Sequence, residues 1–213
     1  MIAVNADEIF ANPDMPRLLK YYADLSEGKK KAFEKSLSAE EKTALYYGTR
    51  GAAAKEYPIG VEGFKHYFWS MTGFELAPYA LKDWLPGFVK TYYEKRGTML
   101  MGFRGSGKSM FEFHWSMYVE GKNPVGSTMF VKITSDSAKE TASLMSNIIE
   151  NSPRWKFMFP NVVPDDKRWN LDGYDLRDTT VPYGRWVDMR ARDHLSEPSI
   201  LCSGVDSGII IGK

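Results

Sequence analysis

The stretch "GFRGSGKS", residues 102 to 109, sets three glycines, two serines, a lysine and an arginine within eight positions, a combination suited to gripping phosphate. It fits the phosphate-loop pattern, with Gly102, Gly107, Lys108 and Ser109 at the fixed positions. A triphosphate is a dense cluster of negative oxygens and needs many donors at short range. Glycines let the backbone wrap closely and turn its amides inward as an anion nest. A helix opening at Lys108 adds its positive dipole end, and the Lys108 ammonium reaches toward the β and γ phosphates. Ser109 is placed to offer its hydroxyl to Mg²⁺, a cation that prefers hard oxygen ligands. The expected ligands are ATP and Mg²⁺, held by Gly102, Phe103, Arg104, Gly105, Ser106, Gly107, Lys108 and Ser109. A glycine-rich turn with no ligand is the bland alternative.

The loop chemistry needs a strand before it and a helix after it. "TMLM", residues 98 to 101, predicts a short buried strand, and Lys108 to Glu120 a helix capped by Gly121. Met110, Phe113, Met117 and Tyr118 form one apolar stripe of that helix, with Phe111 and Trp115 beside it, which fits packing in a core rather than base stacking. "STMFVKI" predicts a second strand. "SDSAKETASLMSNIIENSP" predicts a second helix, with Ser137 and Glu140 as a capping box and Pro153 closing it. Strand, helix, strand in this order is a βαβ unit, the builder of parallel sheets. "KRWNLDGYDLR" and "GRWVDMRAR" read as extended segments, and "SILCSGV" as a further strand.

Before the loop the texture is helical. Residues 6 to about 57 carry apolar residues three and four apart among charges, and Ser38 with Glu41 forms a capping box. "GTRGAAAKEYPIG" then breaks the pattern, so a boundary is expected near residue 58. The fold class expected is α/β, a P-loop NTPase with a mostly parallel sheet flanked by helices: a helical N-terminal subdomain, 1–57, and an ATPase domain, 58–213. The cluster Lys29, Lys30, Lys31 and Lys35 reads as a solvated helix face.

Composition narrows the classes. A single cysteine, Cys202, excludes an internal disulfide and a cysteine-built zinc cluster, and fits a reducing compartment. His66, His114 and His194 are widely spaced and form no metal-ligand pattern. The start "MIAVNADEIF" lacks the build of an export leader, no stretch reaches membrane-spanning length, and the expectation is a cytoplasmic protein with no membrane partner. A net charge of +1 implies no broad phosphate-gripping face, so any nucleic-acid contact is local.

Hydrolysis by such a loop needs acids at the end of an apolar strand, to hold Mg²⁺ and polarise water. No run of four apolar residues followed by two acids occurs: "WVDM" is too short, "MFVKITSD" is interrupted, and "ILCSGVD" has Ser203 and Gly204 where apolar residues belong. The acidic pair is therefore expected beyond residue 213, and this chain alone is expected to bind ATP without hydrolysing it efficiently.

These residues resemble the ATPase domain of tailed-bacteriophage terminase large subunits, the motors that package viral DNA. "FEKSLSAEEKTALYYGTR" looks like their helical lead-in, "GFELAPYALKDWL" like the segment before the loop, and "GFRGSGKS" carries the arginine common in such loops. "ITSDSAKETASLMSNIIENSP" and "SEPSILCSGVDSGIIIGK" follow in the family's order. The resemblance implies a parallel-sheet ATPase that couples ATP hydrolysis to translocation of double-stranded viral DNA. It also implies a homo-oligomeric ring docked on the portal protein of a procapsid in the infected host cell's cytoplasm, and a small terminase subunit as partner. By position it implies Lys108 and Arg104 as catalytic, Arg104 at the γ phosphate, and Phe74, Pro78 and Tyr79 near the adenine. The family's nuclease domain and acidic pair have no counterpart in these residues. Another P-loop enzyme, a helicase-like ATPase or a kinase, and a nucleotide-binding module that never hydrolyses are the competing readings.

Overall fold

The computed structural model describes residues 5–95, 100–170, 173–192 and 198–205. Two compact units emerge: one from the chain up to Lys108 together with Pro153–Met158, the other from Ser109–Ser152 and the chain from Phe159 on.

The first unit is helical. Helices α1 (Ala6–Ala11), α2 (Met15–Ala23), α3 (Glu27–Ser36), α4 (Ala39–Glu56) and α5 (Val61–Thr72) precede a one-turn π-helix, Ala80–Trp84, that runs into α6 (Leu85–Glu94). The Ser38 hydroxyl accepts from the Glu41 amide while the Glu41 carboxylate accepts from the Ser38 amide, the capping box expected. The break expected from "GTRGAAAKE" does not occur, because α4 continues through it to Glu56. Its glycines serve close approach: a Cβ at Gly48 would stand 2.6 Å from Met15 Sδ, and one at Gly51 2.7 Å from the Phe10 ring. The chain turns instead between Tyr57 and Gly60, and the helices on both sides of residue 58 lie in this unit.

Six residues from far along the chain complete that core. In α9 (Pro153–Met158) the Arg154 guanidinium donates to Asp7 at 2.8 Å and to the Met71 carbonyl at 2.8 Å, satisfying the end of α5. Trp155 is wholly buried, and Phe157 packs against Phe10 with ring centres 5.1 Å apart.

The second unit is a mixed sheet with helices. Strands β1 (Thr128–Lys132), β2 (Val162–Asn170), β3 (Gly173–Asp178) and β4 (Ile200–Gly204) lie in the order β1-β4-β3-β2. Among the described strands β1 and β4 pair parallel while β2–β3 and β3–β4 pair antiparallel, so the sheet is mixed and not mostly parallel as expected. The hairpin of β2 and β3 supplies one antiparallel pair by direct connection, and its second strand also runs antiparallel to β4. Helix α8 (Ser135–Asn151) packs on β1, β2 and β4 through Ala138, Ala142, Met145 and Ile149, spaced three and four apart.

Several sequence expectations need correction here. Of the strand expected at 98–101, Thr98 and Met99 lie outside the described residues. Leu100 and Met101 carry no strand, and Met101 is 80% exposed, so the βαβ unit around the loop is not formed among the described residues. A short apolar run has no periodicity of its own, and only pairing makes it a strand. "GRWVDMRAR" is a helix, α10 (Tyr183–Arg192), and not extended: Trp186 and Arg190, four apart, are its buried face. Helix α8 is capped by Thr134, whose hydroxyl accepts from the Ser137 amide at 3.3 Å, not by Ser137 with Glu140. Pro153 opens α9 rather than closing α8. Helix α7 (Lys108–Lys122) runs through Gly121, and glycine is needed there for close approach, since a Cβ would stand 2.6 Å from the Phe159 ring. Its buried residues are Phe111, His114, Trp115, Met117, Tyr118, Glu120 and Gly121, while Met110 is about half exposed, so the stripe is rotated from the one expected. His194 lies outside the described residues.

The buried polar residues of this unit include Arg190, Ser199, Glu120 and His114. Arg190 pairs with Asp175 at 3.0 Å and donates to the Ser199 hydroxyl, which also accepts from the Leu176 amide, stitching α10 to β3 and the start of β4. Burial pushes the Glu120 carboxyl up to about 8, although the Thr128 hydroxyl donates to it and the Arg190 charge pulls the other way. Burial holds the His114 imidazole down at about 4.

Candidate functional site: a glycine-rich loop before helix α7

The loop from Gly102 to Lys108 belongs to the first unit, and its shape follows from its glycines. The Ser106 amide donates to the Phe103 carbonyl at 3.2 Å, closing a turn with Arg104 and Gly105 at its corner. Gly105 and Gly107 sit at φ +84° and +79°, the left-handed region that side chains disfavour. Gly102 has a different reason to be glycine. A Cβ there would stand 2.8 Å from the hydroxyl of Ser106, which is buried.

Lys108 opens the 15-residue helix α7, and its ammonium lies back over the loop, 3.4 Å from the Phe103 carbonyl oxygen. That is a long, weak contact, so little is lost when the ammonium turns to a better acceptor. Among the described residues, the amides of Gly105, Gly107 and Lys108 have no protein acceptor. Unpaired amides, a positive helix end and a lysine therefore converge on one short segment, which can bind an anion. Ser109 follows, exposed, as the second residue of α7, where its hydroxyl is free to meet a hard cation held on phosphate oxygens. No cluster of three or more His, Cys, Asp or Glu that could hold a metal occurs among the described residues.

The segment expected near the base lies in the same unit. Tyr79 donates its hydroxyl to the Ser106 carbonyl at 2.6 Å, tying it to the loop. Its ring packs edge-on against Trp84 at 5.1 Å and lies 6.5 Å from the ring of Phe103, which is 72% exposed. Pro78 is exposed and begins the turn that carries Tyr79. Phe74 is 71% exposed and follows Gly73, the left-handed cap of α5.

Compared with known proteins, the chain matches no family model, no curated protein and no solved structure.

Sequence reasoning missed the supports of this segment. Glu75 accepts from Arg50 at 2.7 Å, and the Arg50 guanidinium lies over the rings of Trp69 and Tyr46 at 4.9 and 5.0 Å. The stretch 75–79 is thus pinned to α4 at one end and to the loop at the other. An arginine among aromatics three and four positions away was the available signal, since Tyr46 and Arg50 share one helix face. No helix of the described residues is long and apolar enough to cross a membrane.

Proposed function

We propose that this chain is the ATP-binding portion of a viral DNA-packaging motor of the terminase large-subunit kind, taking ATP with Mg²⁺ at the loop of residues 102 to 109. The observation that carries the nucleotide reading is the loop itself: two left-handed glycines, unpaired amides and Lys108 laid over them, directly before α7. In this reading the amides and Lys108 hold the β and γ phosphates, Ser109 supplies one oxygen to Mg²⁺, and Arg104 sits at the turn corner as a donor to the γ phosphate. Phe103 and Tyr79 offer aromatic surface to the base. The motor reading, with double-stranded DNA, portal protein, small subunit and a ring on the procapsid as partners, rests on the sequence likeness described above.

The test is a titration of a fluorescent ATP analogue with Mg²⁺ against the wild type and Lys108→Ala. Removing a charge-assisted donor should weaken binding by about tenfold or more. Equal affinity for both proteins would overturn the nucleotide assignment. Turnover by this chain alone should be very slow, because a cradle without a water-polarising acid binds the ground state and stabilises the transition state little. Robust hydrolysis that is lost in Lys108→Ala would show that such an acid lies within these residues.

A further inference from the structure

We infer that Tyr79 is a positioning residue for bound polyphosphate, acting through its hydroxyl on the Ser106–Gly107 peptide of the loop; this rests on the nucleotide reading above. The Tyr79 hydroxyl donates to the Ser106 carbonyl oxygen at 2.6 Å, from a residue far away in sequence. No cis peptide occurs among the described residues, so the carbonyl and the amide of one peptide unit point in opposite directions. Fixing the Ser106 carbonyl on Tyr79 therefore turns the Gly107 amide to the opposite side, away from the tyrosine.

Such a constraint matters at this peptide more than at most. Ser106 stands between Gly105 and Gly107, and glycine adopts positive and negative φ with nearly equal ease, so the peptide could rotate at small cost. A loop that samples both orientations loses conformational freedom each time an anion selects one, and affinity falls by the fraction of time spent in the wrong one. The Tyr79 hydrogen bond selects the orientation in advance. Tyr79 is itself held: its ring packs on Trp84, and the π-helical turn that follows it starts at buried Ala80 and meets α6 at buried Leu85. Single π-turns of this kind recur at functional sites.

The role assigned to the hydroxyl is separate from any stacking of the ring on a base. It predicts dependence on the phosphate chain alone, whatever nucleoside is attached. The test is Tyr79→Phe, which keeps the ring and deletes the hydroxyl, with Mg²⁺-ATP and Mg²⁺-tripolyphosphate as probes in calorimetry. Both affinities should fall by the same factor, about threefold to tenfold, the worth of one hydrogen bond. The melting temperature without ligand should fall by no more than that same bond accounts for, a few degrees at most. Unchanged affinities would overturn the role, and so would a loss confined to ATP, which would make the effect one of base contact. Weaker binding of both probes with a drop in the unliganded melting temperature far larger than one hydrogen bond would overturn it in favour of a general structural part. Failure of the wild type to bind either probe would overturn the nucleotide reading, and this role with it.

Discussion

Gly105 has open space where a Cβ would stand, so Gly105→Ala tests the backbone alone. An L side chain at φ +84° costs about 1 kcal/mol or more, and asparagine, which visits the left-handed region, costs less. Nucleotide affinity should fall in the order glycine, asparagine, alanine, with the unliganded urea midpoint lowered by no more than that strain; the same titration on the three proteins checks it. Arg104 is exposed at the turn corner. Arg104→Ala should weaken an ATP analogue by about threefold or more while leaving ADP unchanged, since the guanidinium is assigned to the γ phosphate. Equal losses for both nucleotides would remove that assignment. The loop residues were legible because the motif fixes their types and spacing. The Tyr79 hydroxyl on the Ser106 carbonyl was not, because a tyrosine gives no sign in sequence of which distant carbonyl it will reach.

At the scale of elements, the helices with charge-studded 3.6 periodicity and a cap were readable, and α4 with its Ser38–Glu41 box formed as expected. The segment "KRWNLDGYDLR" reads as extended, and the structure divides it between two strands, β2 and β3, which the sequence reading did not separate. Helix α10 was not readable, because Trp186, Val187 and Met189 suit either period, and only the burial of Trp186 and Arg190 decides it. The same holds for Gly121, which looks like a cap and acts as a contact. Gly121→Ala sets two effects against each other. Alanine favours the helix by about 1 kcal/mol, whereas forcing a methyl against buried Phe159 costs about 1–3 kcal/mol. Packing should win, lowering the urea midpoint, and Phe159→Leu in the same background should recover part of the loss by making room. A midpoint raised by Gly121→Ala would mean that the Phe159 ring gives way freely.

For the molecule as a whole, two buried groups set opposite limits on pH. His114 is held at about 4 against its ordinary 6.5, so below 6.5 the unfolded chain takes up a proton that the native state refuses. The stability of the neutral ring is complete above 6.5 and is lost as pH falls toward 4. Glu120 is the reverse: raised from 4.5 to about 8, it keeps its proton when the unfolded chain has given it up, so stability is lost as pH rises from 4.5 toward 8. Between 4.5 and 6.5 the two slopes cancel, and stability should be flat there, with a decline on each side. Glu120→Gln should abolish the alkaline decline between 6.5 and 8, worth about 2 kcal/mol, as read from urea midpoints at the two pH values. An alkaline limb that persists in Glu120→Gln would assign it to another group. The threading of the chain carries a consequence of another kind. Trp155 and Arg154 belong to the core of the first unit, yet they are encoded after α7, β1 and α8 of the second. On a ribosome the chain emerges from its N-terminus. The helical unit therefore stays open, with the place of Trp155 unfilled, while much of the next unit is already made. It closes only after Met158 has left the exit tunnel, so a nascent chain stalled before that point carries the glycine-rich loop on a helical unit whose core is unfinished.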